Sequence, residues 1–152
     1  MYWVGSQEAS RVERATINGA NKVVILNTTF SITSLALDPL KNTLYLASKS
    51  SNVIQAFSLT RNKRCQFLFN ISVVNPSGIA VSDQYMYWTN GSSIYCANKT
   101  TGKGVTPVPG KFILPMDIVV IKKTQPEGKA LFLFAPWWQL VLVDMVTNLY
   151  AF

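Results

Sequence analysis

Apolar and polar positions alternate in short runs along this chain, and the runs recur every 42 to 43 residues. An aromatic-led segment marks each recurrence: Tyr2-Trp3-Val4-Gly5, Tyr45-Leu46-Ala47-Ser48 and Tyr87-Trp88-Thr89-Asn90. A small apolar triplet precedes the second and third of these: Leu35-Ala36-Leu37 and Ile79-Ala80-Val81. Short strands and polar corners at this period indicate the blades of a β-propeller rather than a helical repeat.

Each unit divides into four predicted antiparallel strands, taken from the propeller centre outward. The apolar triplets suit innermost strands, and residues 44–47 and 86–89 suit second strands, with aromatic side chains between neighbouring sheets. Alternation over Val53–Leu59 and over residues 12–17 predicts third strands, and residues 23–26 and 65–69 predict outer ones. The predicted fold class is therefore all-β.

Composition excludes several classes of function without identifying one. The apolar content of 49% supports a core, and the net charge of +7 is spread along the chain. A nucleic-acid-binding protein usually carries its basic residues in one focused stripe. We therefore expect the basic residues of this chain to lie in solvent-exposed turns, and we expect no nucleic acid partner. The chain has no histidine, which excludes histidine-based acid–base catalysis, most zinc sites and a histidine pH switch.

Candidate catalytic groups are few. Asp38 and Asp83 follow innermost strands, at turns where aspartate commonly accepts backbone hydrogen bonds. The alternative is a central ring of carboxylates that holds a metal, as in six-bladed lactone hydrolases, but only seven acidic residues are present. We predict no catalytic residue, no cofactor and no metal site.

Four glycosylation sequons favour a secreted or lumenal chain, at Asn27, Asn70, Asn90 and Asn98. Asn27 and Asn70 lie 43 residues apart, in predicted blade-to-blade connections that should be exposed, so we expect them to be glycosylated first. Asn98 should be intermediate and Asn90 poorly occupied. Met1 runs straight into a predicted strand, so we expect no signal peptide in this sequence, and an extracellular chain would need a different N terminus.

The two cysteines, Cys65 and Cys96, fall on adjacent predicted blades, one on an outer strand and one on a third strand. An extracellular location favours a disulfide between them. These positions need not bring the Cα atoms within the roughly 4.4–6.8 Å that a disulfide requires, so two buried or half-buried thiols are the favoured alternative.

The C-terminal tail, residues 127–152, is strongly apolar from Ala130 to Val143. That run is shorter than the ~20 residues of a membrane span, and the preceding lysines would place the glycosylated region on the wrong side. An extra strand pair is the favoured interpretation, with a membrane segment or a splice product as alternatives. Membrane attachment is expected only through other parts of a parent protein.

One segment resembles a known repeat. The run from Val12 to Lys22, Val-Glu-Arg-Ala-Thr-Ile-Asn-Gly-Ala-Asn-Lys, is similar to the I-x-R-A-x-L-D-G-x-x-R run of the LDL-receptor class B repeat. Tyr87-Trp88-Thr89-Asn90 resembles its Tyr-Trp-Thr-Asp hallmark, and the segments around Ala97-Asn98-Lys99 and Leu114-Pro115-Met116 resemble a final blade. The resemblance covers about residues 1–126.

The resemblance implies about three blades of a six-bladed YWTD-type propeller, as found in LDL-receptor-like receptors, the epidermal growth factor precursor, nidogen and Ros-type receptor kinases. The hallmark aspartate, which ties neighbouring blades in the family, is replaced by Gly5, Ser48 and Asn90, so we expect weaker ties. As a substitute for that inward-tied aspartate, Asn90 should bond to backbone.

The leading hypothesis is a non-catalytic, extracellular module that binds a protein ligand or an adjacent receptor module. It would be a fragment of an LDL-receptor-type receptor or a matrix protein. Its candidate surfaces are the turns around residues 39–43 and 83–85, together with the ring centre. The alternatives are a six-bladed hydrolase with a central metal and a truncated product with no independent function. The uncovered sheet faces at the two ends of an incomplete ring would also permit self-association.

Overall fold

The computed structural model describes residues 1–6, 10–59, 65–121, 140–144 and 149–151. Within these residues the chain forms strands and no helix, as the alternating pattern predicted. The basic turn at residues 60–64 and most of the apolar tail, including residues 130–139 of the stretch weighed as a membrane segment, lie outside the described residues.

Three antiparallel sheets follow one another in chain order. The first contains β1 (Tyr2–Ser6), β2 (Ser10–Arg14) and β3 (Val23–Asn27). The second contains β4 (Ser34–Asp38), β5 (Thr43–Ser48), β6 (Val53–Leu59) and β7 (Cys65–Ser72). The third contains β8 (Ile79–Val81), β9 (Tyr85–Thr89), β10 (Ile94–Asn98) and β11 (Thr106–Pro107). Each strand pairs with the next along the chain, which is the meander of a propeller blade.

A fourth sheet contains β12 (Asp117–Ile121), β13 (Leu140–Asp144) and β14 (Leu149–Ala151). β12 takes the innermost position beside β8. Its partner β13 runs parallel to it, with Asp117 opposite Leu140, and only β13 and β14 form an antiparallel pair. A propeller blade is antiparallel throughout, so this sheet begins a further blade without reproducing its topology.

The core lies between the sheets, because successive residues of a strand point to opposite faces. Tyr45 of β5 packs with Met86 and Trp88 of β9, between the second and third sheets. Leu44 and Leu46, the neighbours of Tyr45, pack against the first sheet instead. The prediction that aromatic side chains of the second strands lie between neighbouring sheets is thereby confirmed for Tyr45 and Trp88.

Close approach at the centre explains one glycine. A Cβ atom added to Gly78, just before β8, would lie 2.7 Å from the Cα of Asp117 in β12. Real Cβ atoms do not approach backbone so closely, so the innermost strands can converge here only with glycine.

Two strand assignments need correction. Asn70 lies within β7, which continues to Ser72, and Asn27 is the last residue of β3. Both sequon asparagines were predicted in connections between blades. The outer strands run further because their backbone continues to pair with the third strands, Asn70 opposite Gln55 and Asn27 opposite Arg11.

We expect the isolated chain to associate in solution. Among the described residues no sheet covers the outer face of the first sheet, and a repeat array with uncovered ends associates. Light scattering on freshly purified protein measures this. A sharp monomer peak with a cooperative melt would contradict the expectation, whereas a sharp dimer would indicate that two chains close one ring.

Candidate ligand-binding face

The turn between β4 and β5 is built by Asp38. Its Oδ1 accepts hydrogen bonds from the backbone N–H groups of Leu40 at 3.1 Å and Lys41 at 3.2 Å. Asn42 completes the turn with a φ of 48°, in the left-handed region that asparagine tolerates. The turn-forming role predicted for Asp38 is confirmed, and the bonds fix the backbone beneath an exposed Leu40 side chain.

Lys99 joins this turn to the third sheet. Its ammonium group forms an ion pair with the Asp38 carboxylate and donates to the Ser82 carbonyl oxygen at 2.7 Å. The side chains of Lys99 and Asp38 are 3% and 4% exposed, so the pair is withdrawn from water. The Lys99 carbonyl oxygen accepts from the Tyr45 hydroxyl at 3.0 Å. One lysine therefore bridges the second and third sheets through both its side chain and its backbone.

The surroundings of Asp38 favour the charged form of its carboxylate. Burial raises the pKa of Asp38, but hydrogen bonds and charge from Lys99, with the Lys41 and Leu40 N–H groups, outweigh burial and hold the pKa below its usual value. Burial, together with the negative charge of Asp38, raises the pKa of Tyr45 to about 12. At neutral pH the Asp38 carboxylate is therefore ionised and the Tyr45 hydroxyl remains a donor.

Mild acid should leave the ion pair between Asp38 and Lys99 intact. Because the folded pKa of Asp38 lies below its unfolded value of about 4, its stabilising contribution is complete above that value. It is lost only as the pH falls through the folded pKa, and the chain contains no histidine that would respond earlier. Urea midpoints at pH 7.4 and 5.5 should agree, and the midpoint should fall only once the pH drops below the unfolded pKa of about 4. A large loss of stability between pH 7.4 and 5.5 would contradict this account.

The turns between first and second strands and between third and fourth strands lie at one end of the blades. The Lys41 ammonium group reaches the Thr100 hydroxyl at 2.8 Å, and the Lys99 N–H donates to the Gln84 carbonyl oxygen at 3.1 Å. The surface has two large apolar side chains, Leu40 at 78% exposure and Tyr85 at 43%. We call residues 39–43, 83–85 and 99–103 the turn face. It spans two blades and is held by buried bonds.

Other polar contacts also cross between blades. The Thr89 hydroxyl, on the third sheet, lies 3.3 Å from the carbonyl oxygen of Met116, the residue just before β12. The Thr33 hydroxyl lies 3.2 Å from the Pro76 carbonyl oxygen. By contrast, Ser48, at a hallmark position, bonds within its own turn. The ties between blades therefore come from residues outside the hallmark position.

The sequon asparagines differ in their surroundings. Asn27 and Asn70 are exposed on the outer strands. Asn90 is half-buried, and its Oδ1 accepts from the Ser92 and Ser93 N–H groups at 3.1 and 2.9 Å, the backbone engagement expected for it. Asn98 is exposed beside the turn face, and its Oδ1 accepts the Thr100 N–H at 2.9 Å. Their glycosylation remains a prediction.

The cysteines are free thiols in this structure. Cys65 lies in β7 and packs beside Leu59 in the cluster between the first and second sheets. Burial raises the pKa of its thiol, with a smaller opposing effect from Arg14. Cys96 lies in β10, with its Sγ 3.3 Å from the Thr106 hydroxyl oxygen. The two side chains belong to different sheets and pack against different neighbours, and a disulfide between them remains a prediction.

A second polar cluster lies on the first sheet. The Glu13 carboxylate pairs with Arg11 at 2.8 Å and Lys22 at 3.0 Å, and the Lys22 ammonium lies 5.3 Å from the centre of the Trp3 ring. The Lys22 hydrogen bond and the nearby positive charges lower the pKa of Glu13 despite its burial. Sequence reasoning missed this cluster, although neighbouring residues of a strand point to opposite faces and Val4 packs in the cluster between the first and second sheets.

Neither a metal centre nor a membrane helix is found in the described part of the chain. No group of three or more histidine, cysteine, aspartate or glutamate side chains is arranged there to hold a metal ion. No helix among those residues is long and apolar enough to cross a membrane. The carboxylate of Asp38, at the end of innermost strand β4, is already paired with Lys99.

No protein-family model matches the chain. Two curated proteins are similar to it over 120 residues, or 78% of the chain: low-density lipoprotein receptor-related protein 5 of Homo sapiens at 27% identity and of Mus musculus at 29%. The matched region spans 7% of the length of each relative. The similarity therefore concerns one portion of a much longer receptor.

Solved structures show the same fold at low identity. A chain of a nidogen/laminin complex matches with a TM-score of 0.57 and 13% identity, covering 68% of this chain and 41% of that one. A gluconolactonase from Xanthomonas campestris gives 0.55 and 18%, covering 71% and 38%. Hydrazine synthase from Kuenenia stuttgartiensis gives 0.57 and 16%, covering 72% and 32%.

The coverage of those solved chains, between 32% and 41%, agrees with a partial propeller. The fold is shared by receptor, matrix and enzyme proteins, so it does not by itself decide the function. The similarity to the receptor is a similarity of sequence, which the solved structures do not provide at their low identity. The chain is a partial β-propeller similar to the YWTD-repeat proteins, as its own repeat motifs indicated.

Proposed function

We propose that the chain is a non-catalytic, extracellular protein-binding module, part of an LDL-receptor-type endocytic or signalling receptor or of a matrix protein. The observation that carries this proposal is the turn face, where buried bonds from Lys99 hold the exposed side chains of two blades in one rigid surface. A rigid surface loses little conformational entropy on binding. The similarity to a cell-surface receptor supports the extracellular location.

The turn face has the character of a protein-binding surface. Leu40 and Tyr85 supply apolar and aromatic area, and Lys41 adds a positive charge to the same face. Aromatic and apolar anchors beside charged residues are typical of protein interfaces. The proposed partner is a protein ligand or a neighbouring module of the same receptor.

Matched variants test the proposal. Leu40 at 78% exposure lies on the turn face, and Val74 at 70% exposure lies in the connection after β7, at the opposite end of the blades. Labelled chain secreted from cultured cells should bind intact cells, and trypsin treatment of the cells should abolish the binding. L40E should weaken binding strongly, while V74E should not. Equal binding by both variants, or binding that trypsin leaves unchanged, would overturn the proposal.

The gluconolactonase similarity raises a propeller hydrolase with a central metal as the alternative. Calorimetric titration with Ca²⁺, Mg²⁺ and Zn²⁺ separates the two functions. A binding module without a metal site should show no saturable heat and no rise in melting temperature. Saturable binding of one ion together with lactone hydrolysis would favour the enzyme. A truncated product with no independent function would show neither metal binding nor cell binding.

A further inference from the structure

The outer strands of the first two sheets share a β-bulge. In β3 the register shifts between Val12 and Glu13 of its partner, which leaves Ile25 as the extra residue. In β7 the register shifts between Ala56 and Phe57 of its partner, which leaves Leu68 as the extra residue. Ile25 and Leu68 are 43 residues apart, so the bulge follows the period of the repeat.

Two sequons occupy the same position relative to these bulges. Asn27 follows Ile25 by two residues, and Asn70 follows Leu68 by two residues. Both asparagines are exposed and lie on the outermost strand of their sheet. A bulge twists the strand and interrupts its edge, and here a potential glycan site directly follows that interruption.

These two edges present surface that a second chain could pair with. β7 is eight residues long and exposes Phe67 at 52% and Leu68 at 46%. An outermost strand presents unpaired N–H and C=O groups, and a long, apolar edge is a template for aggregation. Val24, 46% exposed, gives β3 a smaller apolar edge of the same kind.

The third sheet supplies an internal comparison. Its outermost strand β11 has only two residues and includes Pro107, whose nitrogen cannot donate to a neighbouring strand. A short edge with proline is protected without a glycan. The sequons of this blade, Asn90 and Asn98, lie at or beside turns instead of on the outermost strand. Edge sequons thus occur on the two long edges and not on the short one.

We propose that N-linked glycans at Asn27 and Asn70 cover the outer edges of the first two blades and prevent edge-to-edge pairing with other chains. The bulge offsets the strand, and the glycan then occupies the space where an incoming strand would lie. This inference rests on the extracellular location in the proposed function, because glycans are added only in the secretory pathway.

The test uses the full chain directed into the secretory pathway by an appended leader. Glycopeptide mapping should show glycans at Asn27 and Asn70. The folded glycoprotein is then trimmed by an endoglycosidase that leaves one sugar on each site. Trimming should raise association several-fold in sedimentation, and hydrogen exchange of the amides in residues 23–27 and 65–72 should slow as new strand pairs form.

Substitutions at Thr29 and Ser72 keep Asn27 and Asn70 in place while removing their glycans. T29A with S72A should reproduce the effect of trimming, whereas N98Q, which removes a sequon beside the turn face, should not. Empty Asn27 and Asn70 in secreted protein would overturn the inference. Filled sites with association and edge exchange unchanged by trimming would also overturn it. Neither result alters the turn face, so the cell-binding comparison of L40E and V74E separately decides the proposed function.

Discussion

Replacing Lys99 with methionine should lower the free energy of unfolding by about 3–5 kcal/mol, since removal of one partner leaves a buried charge without compensation. The orphaned group would be the Asp38 carboxylate, and the Ser82 carbonyl oxygen would lose its donor as well. Urea melts give the difference. K103M, which removes an exposed lysine from the same turn, should stay within about 0.5 kcal/mol of the parent.

A double-mutant cycle separates the charge from the packing. D38N alone should destabilise, because Lys99 then loses its counter-charge. D38N added to K99M should recover part of the lost stability, because no buried charge remains. If the two losses simply add, the ion pair does not couple the second and third sheets, and the turn face would lack the rigidity on which the proposed function depends.

Replacing Trp88 with alanine should cost about 3–5 kcal/mol through the cavity left between the second and third sheets. The ring is 1% exposed and stacks on Tyr95 with centroids 5.9 Å apart and an interplanar angle of 17°. K49A, at an exposed corner, is the matched surface change and should stay within about 0.5 kcal/mol. Urea melts of both variants compare the two costs. Equal midpoints would mean that Trp88 contributes nothing to packing between the blades.

Repeat period and alternation were sufficient to predict most strands, because burial between sheets imposes both patterns on the sequence. Tyr45 and Leu46 illustrate this: adjacent residues are fully buried on opposite faces of one sheet. The position of Asp38 after an innermost strand likewise predicted its turn, because that role depends on local backbone alone.

Other features depend on partners distant in the sequence. Lys99 sits in a polar corner that reads as solvated, and only the packing of two sheets brings it against Asp38. The bulges at Ile25 and Leu68 leave no mark in hydrophobic alternation that distinguishes them from an ordinary strand. The parallel partner of β12 was missed for the same reason, since strand pairing across a long sequence separation has no local signal.

The parallel pairing also bears on the order in which the molecule acquires its structure. Strand partners in the first three sheets are close in sequence, as with Leu37 and Leu44, whereas Asp117 and Leu140 are 23 residues apart. Closing a longer segment costs more chain entropy, and distant contacts form later. During synthesis the first three sheets can assemble as they emerge, whereas β12 cannot pair until β13 has been synthesised. A chain released before residue 140 would therefore expose an unpaired central strand to chaperones and to other chains.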